Sequence, residues 1–141
     1  MLHLIDDPQQ VLRECFRILK PRGVLIDRYA SLEDNLRKPE RKLIPELAEL
    51  DLHIIPSQSQ VEDWLQEAQF KQIESNHVKI PTYNTVKERW DRIKSRVESG
   101  LTKISDEAFE RGLTTFKDYI KNRPNDPWIL DEEYTITIAT K

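Results

Sequence analysis

Apolar residues recur at helical spacing between Asp7 and Lys20, where Val11, Leu12, Cys15, Phe16, Ile18 and Leu19 fall on one face with polar residues opposite. Asp7 as N-cap, Pro8 at the first helical position and Gln10 completing a capping box supply the start signal. Lys20-Pro21-Arg22-Gly23 ends the helix, because proline disfavours helical geometry at the residue before it and glycine permits a tight turn. The run Val24-Leu25-Ile26-Asp27-Arg28-Tyr29-Ala30 is short, β-prone and apolar at its start. It predicts a buried strand whose end reaches solvent.

From Ser31 to Pro56 the pattern weakens: Leu43, Ile44, Leu47 and Leu50 keep helical spacing, but Pro39 and Pro45 interrupt them, which predicts a broken helical insertion. Ser57 or Ser59 caps the next helix, which carries Val61, Trp64, Leu65 and Ala68, and Glu62 stands three residues after Ser59. Lys71 to Ile80 reads as a strand ended by Pro81. Thr85 and Glu88 form a capping box before a helix with the stripe Val86, Trp90, Ile93 and Val97, closed by Gly100. Ser105 opens another helix, with Asp106 and Glu107 in its positive first turn and Phe109, Leu113, Phe116, Tyr119 and Ile120 on one face. After the turn-rich segment 122–127, Tyr134-Thr135-Ile136-Thr137-Ile138-Ala139 alternates as a strand does.

Composition bounds what this order of elements can do. The 141 residues suit a single domain, 38% of them apolar and 33% charged, which implies a thin core and a large charged surface. A net charge of −3 with interspersed signs offers no basic field for nucleic acid. The apolar runs all fall short of the roughly 18 residues of a membrane-spanning helix. The single cysteine, Cys15, suits a cytoplasmic protein without disulfides. His53 and His77 lack zinc-like spacing, so no metal site is expected. The charged stretch Arg37-Lys38-Pro39-Glu40-Arg41-Lys42 reads most simply as a solvated face, with a lid loop contacting an anionic substrate as the alternative.

One stretch carries more information than the rest. Leu2-His3-Leu4-Ile5-Asp6-Asp7-Pro8, Leu12-Arg13-Glu14 and Arg17-Ile18-Leu19-Lys20-Pro21-Arg22-Gly23-Val24-Leu25 are similar to one segment of the ubiquinone/menaquinone-biosynthesis type of class I S-adenosylmethionine-dependent methyltransferase, the type 11-like group. In that family an apolar-His segment follows the fourth strand, an Asp-Pro opens a helix, and a phrase of the type Arg-Val-Leu-Lys-Pro-Gly-Gly leads into the fifth strand. Arg22 stands at the family's first glycine, which leaves the turn type open.

The resemblance implies an α/β chain, the C-terminal half of a Rossmann-like methyltransferase fold. About three strands are expected, with the Val24 strand central, the Tyr134 strand antiparallel beside it and the Lys71 strand outside that one. Residues 31–56 and 85–121 would be helical insertions serving as a substrate lid. It implies methyl transfer to a small molecule by the parent protein, with His3 and Tyr29 as the substrate-proximal candidates. Loop ordering by His3 and packing by Tyr29 are the plainer alternatives. The family holds its cofactor with a glycine-rich loop and an acidic residue upstream of the matched segment, and Gly23, Gly100 and Gly112 include no close pair. S-adenosylmethionine is therefore expected in the parent protein and not on this chain alone. The edge of the Val24 strand that would meet the fourth strand is left open, which predicts a homo-oligomer or pairing with a missing N-terminal half. The competing class is a non-enzymatic interaction module that self-associates through the same edge.

Overall fold

The structure is a computed structural model that describes residues 2–124 and 126–141, the side chain of His3 excepted. Three strands and seven helices are described: α1 (Pro8–Ile18), β1 (Val24–Tyr29), α2 (Leu32–Arg37), α3 (Pro39–Leu43), α4 (Pro45–Ile54), α5 (Gln58–Glu67), β2 (Lys71–Pro81), α6 (Val86–Lys94), α7 (Asp106–Asn122) and β3 (Asp131–Thr140). Short 3-10 turns lie at Leu2–Leu4 and Pro127–Ile129. The sheet order is β1-β3-β2. β1 runs antiparallel to β3, from Val24 opposite Thr140 to Tyr29 opposite Thr135. The chain is thus α/β, and each strand has the neighbour expected of it, but β3 and not β1 is the central strand of the described sheet. It forms two compact units, one made of the segment through Glu33 with Ile54–Val78 and Tyr134–Lys141, the other of Asp34–His53 and Lys79–Glu133.

In the first unit, α1 starts as its sequence dictates: the Asp7 carboxylate accepts the Gln10 amide at 2.8 Å, and Pro8 occupies the first turn. α5 is capped by Ser57, whose hydroxyl accepts the Gln60 amide; Ser59 instead lies 3.0 Å from the Ser57 hydroxyl. The two helices cover one face of the sheet, burying Leu12, Val61, Leu65 and Phe70 with Tyr29 and Ala139. Each large side chain so buried contributes about 1.5–3 kcal/mol. Phe16 packs edge-on against Phe70, with ring centroids 5.2 Å apart.

The expected buried strand is reversed. Val24 and Ile26 are 49% and 66% exposed, whereas Tyr29, at the end expected in solvent, is 7% exposed. β1 is the outermost strand of the described sheet, and α1 and α5 cover only the face bearing Leu25 and Tyr29. Val11 and Ile18 on α1 are likewise exposed, so the helix buries a narrower stripe than its sequence suggests. In the turn, the Gly23 amide donates to the Lys20 carbonyl, and Arg22 takes φ 64°, the left-handed region. A glycine at this position would avoid that strain.

In the second unit the helical stretch breaks at Pro39 and Pro45, and each proline occupies the first turn of a new helix. A further expectation is corrected there. Of the stretch read as a solvated face, Glu40 and Arg41 are 2% and 6% exposed. Both are inside because each meets a distant partner. The Arg89 guanidinium, fully buried, grips Glu40 with two hydrogen bonds of 2.7 Å. Arg41 donates to Asp51 at 2.8 Å and to Glu98 at 2.5 Å.

Gly100 does not close α6. That helix ends at Lys94, and the chain turns at Arg96 with φ 54°, while Val97 is 62% exposed. The Arg96 side chain holds the following loop by donating to the carbonyls of Leu101 and Ile104 and to Asp106. α7 begins where Ser105 caps it and packs Phe109 and Phe116 into a core with Ile44, Leu47, Ile93 and Ile129. A Cβ on Gly112 would lie 2.5 Å from Ile44 Cγ1, so this glycine marks a close helix approach. No helix among the described residues is long and apolar enough to cross a membrane.

Candidate functional site

Elementary patterning would place the isoleucines of β3 inward and its threonines outward. The structure does the opposite: Thr135, Thr137 and Ala139 are fully buried, and Ile138 is 37% exposed. The buried phase faces the α1–α5 layer, where Leu25 stands opposite Ala139, Asp27 opposite Thr137 and Tyr29 opposite Thr135. A band of hydroxyls and carboxyl therefore runs across the covered face of the sheet.

Its bonds pass from strand to strand. The Tyr29 hydroxyl lies 3.3 Å from Thr137 Oγ1, which in turn lies 2.7 Å from Ser75 Oγ on β2. Thr135 Oγ1 lies 3.3 Å from His77 Nδ1. The pairs 75–137 and 77–135 keep one register sum, so β2 and β3 are antiparallel here. Asp27 joins the band differently. Its Oδ2 is buried and has no hydrogen-bond partner among the described residues, and burial raises its carboxyl pKa above the ordinary 3.8. A carboxyl held this way accepts or donates a hydrogen bond when a polar group is brought to it.

Of the two residues singled out in the sequence, Tyr29 belongs to this band, with its ring in the core and its hydroxyl on Thr137. The side chain of His3 lies outside the described residues. Asp27, Ser75, His77, Thr135 and Thr137 were not singled out. For Thr135 and Thr137 the signal available is the second phase of β3, in which they alternate with isoleucine.

The three glycines are committed to this chain's own packing. A Cβ on Gly23 would meet the Lys20 carbonyl at 2.8 Å, one on Gly100 the Leu47 side chain at 3.3 Å, and one on Gly112 would meet Ile44. None has positive φ. They do not form the close-approach loop that a nucleotide-like cofactor needs. Among the described residues, no group of three His, Cys, Asp or Glu side chains is placed to hold a metal ion.

Residues 1–27 match the family model described as a methyltransferase domain. No curated protein matches the chain. Among solved structures, the chain is similar to phosphoethanolamine N-methyltransferase 2 of Haemonchus contortus, bound to phosphomonomethylethanolamine and S-adenosylhomocysteine. That similarity has 20% identity and a TM-score of 0.47, over 99% of this chain and 31% of that one. A Bacillus halodurans C-125 protein described as a methyltransferase is 18% identical, with a TM-score of 0.45 over 99% of this chain and 65% of its own. A Galdieria sulphuraria protein described as a sarcosine dimethylglycine methyltransferase is 18% identical, with a TM-score of 0.41 over 97% and 48%. The chain spans less than two thirds of the length of each of these three structures.

Proposed function

We propose that this chain serves S-adenosylmethionine-dependent methyl transfer to a small molecule, supplying the acceptor side of the site while residues outside it hold the cofactor. The observation that carries this is the methyltransferase match over residues 1–27, which ends on β1 at Asp27 itself. Transfer of a methyl group from a sulfonium needs in-line approach of acceptor and methyl carbon, so a site that orients the acceptor supplies much of the catalysis. His3 is a substrate-proximal candidate in this account, by its place in the matched segment. Tyr29 is a positioning residue, acting through Thr137 and Ser75 on the band that also contains Asp27. The glycine use of this chain is why the cofactor is assigned elsewhere.

The test is transfer of tritium from methyl-labelled S-adenosylmethionine by the full-length protein carrying this chain, offered a protein-free cell extract. Label in the small-molecule fraction is expected, and a His3→Ala variant should lower it. Absence of transfer to that fraction overturns the proposal.

A second reading is favoured by the exposed apolar pair Val24 and Ile26 on β1, whose outer edge pairs with no other strand among the described residues. Such an edge recruits another strand. As an interaction module the chain would self-associate through β1, and light scattering would register a dimer that Ile26→Lys dissociates. A monomer at high concentration removes this alternative.

A further inference from the structure

The second unit contains a groove between α6 and α7 that the methyl-transfer account does not use. Val86, Trp90 and Ile120 line it with Lys87, Lys117 and Lys121, and its volume is about 400 Å³. That lies within the ordinary range of small-molecule sites, roughly 300–1,000 Å³. The groove is built on a fixed base: Trp90 stacks on Phe116, with centroids 6.2 Å apart and planes 25° apart, and Phe116 is fully buried.

Its charge is one-sided. No carboxylate is among the lining residues. Lys87 pairs along α6 with Asp91, but Lys117 and Lys121 form no ion pair among the described residues. The latter two stand four apart on α7, an arrangement in which like charges repel on one helix face. An anion set between them relieves that repulsion.

The dimensions choose the occupant. The lining positions 86–90 and 117–121 span about one turn of each helix, roughly 6 Å along the axis at 1.5 Å per residue. A partner helix docks through anchors spread over two turns or more. One turn suits a single acyl chain or a body of similar size. Lysine stems extend the apolar wall while the ammonium groups stay at the rim.

We propose that the α6–α7 groove binds a soluble single-chain amphiphile with one carboxylate, its tail on Trp90 and Ile120 and its head between Lys117 and Lys121. The inference stands on this groove alone and is independent of the methyl-transfer proposal.

Calorimetric titration of the 141-residue chain with sodium decanoate tests it, in low salt and below the micelle threshold. Saturable binding at one site is expected. Lys117→Glu/Lys121→Glu should weaken it at least tenfold with an unchanged circular dichroism spectrum, and decyltrimethylammonium should not bind. Should that variant fail to fold, Lys117→Gln/Lys121→Gln removes the charges with most of the stem retained. Equal affinity of either folded variant, equal binding of the cationic amphiphile, or no saturation overturns the proposal. Association with phosphatidylglycerol vesicles without decanoate binding overturns it too, by assigning the lysines to a membrane surface.

Discussion

At the scale of single residues, Asp27 carries the clearest consequence. Its carboxyl is partly buried and its Oδ2 lacks a partner among the described residues, so folding favours the protonated form. With the folded pKa raised above 3.8, its contribution is fully favourable below that value and is lost as pH rises through the folded pKa. Asp27→Asn should therefore raise the melting temperature at pH 7, and the advantage should disappear by about pH 3. An equal gain at both pH values would contradict the burial account. Such a residue was not legible in advance: Asp27 looks like an ordinary polar interruption of a strand, and its burial depends on Thr137, placed opposite it by a register 110 residues away in sequence. Tyr29 was legible as the strand's end, but not as a core residue, because nothing local says that the helix layer covers that phase.

At the scale of elements, local chemistry is readable in the sequence and long-range pairing of charged side chains is not. The caps Asp7, Thr85 and Ser105 each accept the amide three residues on, because those bonds close within one turn. Glu40 and Arg41 were misread because their partners Arg89 and Glu98 lie 49 and 57 residues away. Burial alone would raise the Glu40 pKa, but the hydrogen bonds and charge of Arg89 outweigh it and hold the carboxyl below the usual range. Arg89 also donates to the Ile129 and Asp131 carbonyls, so it ties α3, α6 and the approach to β3 together within the second unit.

Removing one member of a buried pair leaves the other charge without compensation, at a cost of about 3–5 kcal/mol. Arg89→Met should lower stability by that amount in urea unfolding, and Glu40→Leu/Arg89→Met should recover most of it. A single variant of near-wild-type stability would show the pair to be dispensable.

Gly112 sets two element-scale effects against each other. Alanine in mid-helix is favoured over glycine by about 1 kcal/mol, but here its Cβ would press on Ile44, which is fully buried and branched. Overpacking of that kind costs about 1–3 kcal/mol, so Gly112→Ala should be neutral to destabilising by about 2 kcal/mol. A clear gain in denaturation midpoint would mean that α3 and α7 yield to each other freely.

At the scale of the whole molecule, the α/β class and the order of the strands followed from the element sequence and the resemblance over Leu2 to Leu25. The sidedness of the sheet did not. Alternation along β3 marks a strand without saying which phase is inward, and the threonine phase won because the helices supply its cover. The functional account divides labour in the same way, with the acceptor side on this chain and the cofactor held by residues outside it. Calorimetric titration of the 141-residue chain with S-adenosylmethionine tests that division most directly. The account predicts no saturable heat from this chain; saturable binding in the micromolar range would contradict it.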